Sequence, residues 1–287
     1  MTFSLVARSD DGLSWGVVVA SKFLSVGSAV PAAVAGLGAI ATQADANVAW
    51  KGEALALLDG GATAEVALAR LLEDDPGRDD RQVGLVDAEG GVAAFTGDRC
   101  FDWAGHRTGE AYCAQGNILA GPQVLDAMVE TWETSGSLPF ARRLLAALAA
   151  GDAAGGDRRG RQSAALFVVR EGAGYGGRDD VAVDLRVDDH PDPVVELTRL
   201  LDLNDFYLTA STPEEREPVG PELFAELERR VRTLGHEHVA EWVGSQNFEM
   251  RVAPGLKPEW IDRRVLQILR DTTDDPDSTN HEGGARA

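Results

Sequence analysis

The chain is short of cysteine, of histidine and of positive charge, and each shortage excludes something. Two cysteines, Cys100 and Cys113, cannot build a disulfide framework, so both are expected as reduced thiols. Five scattered histidines, with no CxxC or HxxxH pairing, leave little from which to make a structural zinc site. Lys and Arg number 27 against 47 Asp and Glu, a formal charge of −20. Such a surface repels phosphate backbones and anionic lipids, which argues against nucleic-acid and membrane partners. No run approaches the roughly 18 apolar residues of a membrane span. The N-terminus MTFSLVARSDDG has neither a basic segment nor a continuous apolar core, and so does not read as a signal peptide. A cytoplasmic location is the expectation.

What is present is an ordinary globular composition, 44% hydrophobic over 287 residues, enough for one large domain or for one domain plus a small one. Residues 2–7 and 15–20 read as a hairpin around Asp10-Asp11-Gly12, and 81–87 with 91–97 as a second around Glu89-Gly90. Two apolar stretches, 26–34 and 37–44, lie between the hairpins. Residues 50–73 are helical in two pieces broken at Gly60-Gly61, the second capped by Thr63 with Val66, Ala69 and Leu72 on its apolar face. A strand over 111–119 is followed by helices from Gly121-Pro122 and from Phe140 to Ala150. Strands at 163–169 and 181–187 lead to a helix from Pro193 to about Asp202. Several strands lack clean alternation, as strands covered on both faces do. The expected class is therefore α+β: two antiparallel sheets with helices on their outer faces. The domain occupies 1–208, with a polar linker at 209–220, a small helical unit at 221–271 and a disordered tail at 272–287.

Thr2 opens the first strand. Loss of Met1 would leave its hydroxyl beside a free α-amine, a nucleophile with its own base. The amine's ordinary pKa, about 7.7–8.0, suits that work, and a cation such as Lys22 nearby would lower it. Asn117, in Gln115-Gly116-Asn117 at a strand end, is a candidate oxyanion donor, alongside the plainer role of satisfying a turn. The basic loop carrying Arg158, Arg159 and Arg161 is a candidate clamp for a substrate carboxylate or phosphate. Ser163, after that loop, is a candidate partner of the nucleophile. Gln43 and Asn47 sit where a strand leaves toward a loop and are candidates to line a pocket. Asp184, Asp188, Asp189 and His190 read poorly as a metal set, because Arg186 shares the face of Asp184 and neutralises it. No metal and no cofactor is expected.

The segments TFSLVARSDDGLSWGVVVASKFLSVGSAVP, GLGAIATQA, RQVGLVD, QGNILAG, GGDRRGRQSAAL and VDLRVDDHPDPVVEL, in that order over 2–203, resemble the domain-of-unknown-function family numbered 1028. That family is placed in the Ntn (N-terminal nucleophile) hydrolase fold class. The resemblance implies an αββα sandwich with Thr2 as nucleophile. The activity implied is amide hydrolysis, on a small-molecule amide or short peptide. A homo-oligomer is expected by analogy with such sandwiches, and a non-catalytic binding or scaffold protein on the same fold is the alternative. The segments from ELFAELERRVRTLGH to WIDRRVLQILRD are similar to a small helical module described as peptidoglycan-binding.

Overall fold

A computed structural model describes residues 2–274. The chain divides into two compact units, Met1–Leu201 and Asp202–Ala287. The first is an α+β fold with two antiparallel sheets. Its elements are β1 (Thr2–Arg8), β2 (Ser14–Ser21), α1 (Val26–Ala29), β3 (Pro31–Val34), β4 (Gly38–Ala44), α2 (Trp50–Asp59) and α3 (Ala64–Glu73). Next come β5 (Arg81–Asp87), β6 (Val92–Thr96), β7 (Gly105–Gly109), β8 (Tyr112–Asn117), α4 (Gln123–Thr134) and α5 (Phe140–Ala153). β9 (Ser163–Arg170), β10 (Val181–Val187) and α6 (Pro193–Tyr207) follow, the residues of α6 from Asp202 onward being counted with the second unit.

Six strands form one sheet in the order β10-β9-β2-β1-β8-β7, and four form the other in the order β3-β4-β5-β6. Strand alternation sorts the side chains of the six-stranded sheet into two sets. Phe3, Leu5, Val18, Ala114 and Leu166 pack with Leu125, Met128, Leu144, Leu148 and Leu197 from α4, α5 and α6. The opposite set, including Val6, Val17, Val19, Cys113 and Val169, meets Ala39, Ala41 and Val86 of the four-stranded sheet. The outer face of that second sheet, Ile40, Val83 and Leu85, is covered by Trp50, Ala54, Leu68 and Leu71 of α2 and α3. Both hairpins form where expected. In the first, Gly12 takes φ 72°, the left-handed conformation that favours glycine.

The structure departs from the sequence reading at several places. Thr63 Oγ1 does accept from Val66 N at 3.3 Å, but α3 buries Ala64, Ala67, Leu68 and Leu71, leaving Val66 in solvent. The apolar face lies one position away from the Val66, Ala69 and Leu72 stripe. The short strand β7 was hidden because its sequence, GHRTG, carries no apolar side chain. The stretch 209–220, expected as a linker, is folded into the second unit: β11 (Arg216–Pro218) pairs with β12 (Trp260–Asp262), and Ser211 is buried.

The second unit also holds α7 (Pro221–Thr233), α8 (Val239–Ser245) and α9 (Arg263–Asp274). Its core joins Leu227, Val231, Val239, Trp242, Val265 and Leu269 to Phe206 and Phe248. Ile261 reaches this core from β12, just ahead of α9. Of the expected tail, residues 272–274 belong to α9, and 275–287 lie outside the described residues. Among the described residues no helix is long and apolar enough to cross a membrane.

Candidate functional site

The strand register sets four polar residues side by side. Thr2 is opposite Asn117 on β8, β1 pairs with β2 so that Thr2 reaches Ser21, and Ser21 is opposite Ser163 on β9. The row Ser163, Ser21, Thr2, Asn117 therefore crosses four adjacent strands at one end of the six-stranded sheet. Alternation from Ser4 and Val6 turns Thr2 toward the second sheet, and only 5% of Thr2 is exposed. Thr2 Oγ1 lies 3.2 Å from Ser21 Oγ.

Next to this row, three glutamines bridge the two sheets. Gln43 Nε2 donates to Gln82 Oε1 at 2.8 Å and to the carbonyls of Thr2 and Gln115 at 3.3 Å each. Ser4 Oγ donates to Gln43 Oε1 at 2.7 Å, and Gln115 Nε2 donates to Ser4 Oγ at 2.6 Å. Gln82 Nε2 reaches the Gly116 carbonyl at 2.8 Å and Thr96 Oγ1 at 3.0 Å. Asn117 Nδ2 donates to Gln82 Oε1 at 2.9 Å. Gln43, Gln82 and Gln115 are fully or almost fully buried, and Gln115 Oε1 has no partner among the described residues. In a low-dielectric interior such a network is rigid while satisfied and costly where it is not.

Three sequence expectations need correction here. Gln43 does not line a substrate pocket, since its amide is spent inside the inter-sheet network. Asn117 is buried, and its amide is directed at Gln82 as a structural contact. Ser163 is likewise committed: its hydroxyl accepts from Val26 N at 3.0 Å and donates to the Phe23 carbonyl at 2.5 Å, fixing the loop after β2.

The loop before β9 is tied to the same end of the sheet. Asp157, buried and not singled out by the sequence, accepts from Lys22 N at 2.7 Å and from Arg159 N at 2.8 Å. Arg159 also reaches the Lys22 carbonyl at 3.0 Å. Arg161 pairs with Asp152 at 2.8 Å and Asp192 at 3.2 Å, and these acids hold its guanidinium pKa up. Arg158 is exposed, and its backbone N–H donates to the Ile118 carbonyl at 3.3 Å. Lys22 is exposed as well, with Nζ donating to the Arg161 carbonyl at 3.3 Å. Its ammonium thus engages the arginine loop.

Asn47 does line a cleft, of about 690 Å³, with Trp50, Glu53, Leu57, Arg70 and Asp75 among its walls. That cleft belongs to α2 and α3 and includes none of Thr2, Ser21 and Asn117. Arg186 binds both oxygens of Asp184, at 2.8 and 3.0 Å. Among the described residues no group of three or more His, Cys, Asp or Glu is arranged to hold a metal ion. Both cysteines are free thiols; burial pushes Cys113 up to about 12 and raises Cys100, so neither is an activated nucleophile.

Taken together, fold and site define an α+β protein whose stacked antiparallel sheets enclose a polar cluster at the head of β1. Residues 2–197 match the family of unknown function DUF1028, and the chain belongs to that family. A solved structure of a DUF1028 protein from Silicibacter pomeroyi is 35% identical, covering 71% of this chain and 86% of that one at a TM-score of 0.65. Two Anbu structures are distant by comparison. The ancestral β-subunit from Yersinia bercovieri is 12% identical, covering 70% of this chain and 94% of that one at a TM-score of 0.31. The Gly-1 mutant from Hyphomicrobium sp. strain MC1 is 10% identical with the same coverages and a TM-score of 0.32. No curated protein matches the chain.

Proposed function

We propose that the chain is an amidohydrolase of the N-terminal-nucleophile type, built as an αββα sandwich and acting through Thr2 after loss of Met1. One observation carries this reading: the Thr2 hydroxyl stands at the head of an inner strand, turned between the sheets and 3.2 Å from Ser21 Oγ. On this reading Thr2 Oγ1 attacks the amide carbonyl while the α-amine takes the hydroxyl proton and passes it to the departing nitrogen. The C–N bond breaks, leaving an ester on Thr2 Oγ1, and water then releases the acid. Lys22, the neighbour of Ser21, adds positive charge that disfavours the protonated amine. With Asn117 Nδ2 directed at Gln82, stabilising the oxyanion falls to backbone N–H groups, and Asn117 acts as a positioning residue.

Intact-mass spectrometry of the purified protein, followed by a screen of linear and cyclic amides, tests the proposal. The expected mass lacks the initiator methionine, and Thr2→Ala lowers turnover by on the order of a thousandfold or more. Retention of Met1 blocks the amine and favours a binding or scaffold role. Unchanged turnover in Thr2→Ala places the nucleophile elsewhere.

A further inference from the structure

Two loops flank Thr2 and are fixed to the polar row by their backbones. The carbonyl of Phe23 accepts from Ser163 Oγ, and the carbonyl of Phe101 accepts at 2.8 Å from the N–H of Ile118, the residue after Asn117. The side chains on these anchored loops nevertheless stand in water: Phe23 is 54% exposed, Leu24 59% and Phe101 73%. A single exposed apolar residue needs no explanation. Three large ones, on two loops tied by their backbones to the strands either side of Thr2, are a concentration of the kind that marks a binding site, an apolar collar on the reading below.

The charges at this end are equally specific. Of the three loop arginines, Arg159 pairs with Asp157 and Arg161 with Asp152 and Asp192. Arg158 has no acidic partner among the described residues, and its backbone is anchored on Ile118, the same residue that holds Phe101. Lys22 donates to a carbonyl and likewise has no acidic partner among the described residues. In a protein of net charge −20, two cations on these loops without an acidic partner among the described residues are available to an anion. The guanidinium fork of Arg158 matches a carboxylate.

Resting on the nucleophile reading above, we infer that the substrate is an amphiphilic acid: an amide with a bulky apolar acyl group and a free carboxylate on its amine portion. Phe23, Leu24 and Phe101 receive the apolar group, and Arg158, supported by Lys22, receives the carboxylate.

A matched series tests this: N-phenylacetyl-alanine, its carboxamide (charge removed) and N-acetyl-alanine (apolar group removed). kcat/KM is measured on the processed protein, and binding by calorimetry on Thr2→Ala, which needs no turnover. The phenylacetyl acid is expected to lead each of the others by about tenfold or more in both measurements. Arg158→Gln should collapse the ratio of acid to carboxamide, and Phe23→Ser with Phe101→Ser the ratio of phenylacetyl to acetyl. Equal values across the series, no binding by any member, or ratios unmoved by these changes overturn the inference and leave the hydrolase reading to the broader screen. Selective binding without hydrolysis by the processed protein keeps the recognition and overturns the hydrolase.

Discussion

The space between the two sheets has two halves, made by the same strands and opposite in chemistry. Away from Thr2 it is apolar: Val6, Val17, Val86, Cys113 and Val169 pack there. Toward Thr2, continuing along β1, β4, β5 and β8, the inward positions become Ser4, Gln43, Gln82, Gln115 and Asn117, joined by hydrogen bonds. The apolar half gains free energy from leaving water and sets no unique pairing. In the polar half each amide admits few partners, so the sheets are pinned in one register at a cost in desolvation. A protein that needed stability alone would have continued the valines. Keeping glutamines at full burial beside Thr2 fits an end of the two sheets where geometry matters more than stability.

Breaking the polar half should cost most. Gln82→Leu removes the acceptor of Gln43 and Asn117 and the donor to the Gly116 carbonyl, leaving buried groups unpaired. We expect a loss of about 3 kcal/mol or more, read from the urea midpoint. Val17→Ala, in the apolar half, should cost about 2 kcal/mol and leave any Thr2-dependent activity nearly intact. If the two losses come out reversed, the glutamines are not the pins proposed. Gly84→Ala sharpens the boundary between the halves. Its added Cβ would press on Gln115 Oε1 and, at 2.6 Å, on Cys113 Sγ, one residue from each half. About 1–2 kcal/mol is expected, with activity falling more than in Val17→Ala.

Much of the fold was legible because local patterns carried it. The turns at Asp10–Gly12 and Glu89–Gly90, the Thr63 cap and the apolar face of α4 are all written within a few residues. The edge strand β7 was not, because an edge strand of polar residues has no apolar signature. The pairing of Arg216–Pro218 with Trp260–Asp262 was not either, because it joins residues far apart in sequence. For the site the division is sharper. Thr2, Asn117 and Ser163 are each legible singly, yet nothing local shows that they stand in one row, since β1 and β8 are separated by about half of the first unit and register is a tertiary property. Gln43, Gln82 and Gln115 did carry a signal: a polar residue in an otherwise apolar strand marks an interior network as readily as a pocket. Asp157 carried none, being one acid among many in a polar loop.

The smallest effect lies at the rim of the polar half, where the network reaches half-buried His106. Thr96 Oγ1 is 3.0 Å from His106 Nδ1 and also accepts from Gln82, so the imidazole is the network's last member before solvent. Desolvation first, and the adjacent Arg107 second, lower the His106 pKa below its ordinary value. A histidine depressed in the folded state binds its proton more readily when unfolded. Stability is therefore fully present above the unfolded pKa of about 6.5. It falls as pH drops through that value and levels off once the folded form is protonated as well. His106→Gln should remove this part of the slope while keeping a partner for Thr96. The check is the difference in urea midpoint between parent and variant from pH 8 to pH 5. A difference that does not change with pH would separate His106 from the network and end the polar half at Gln82.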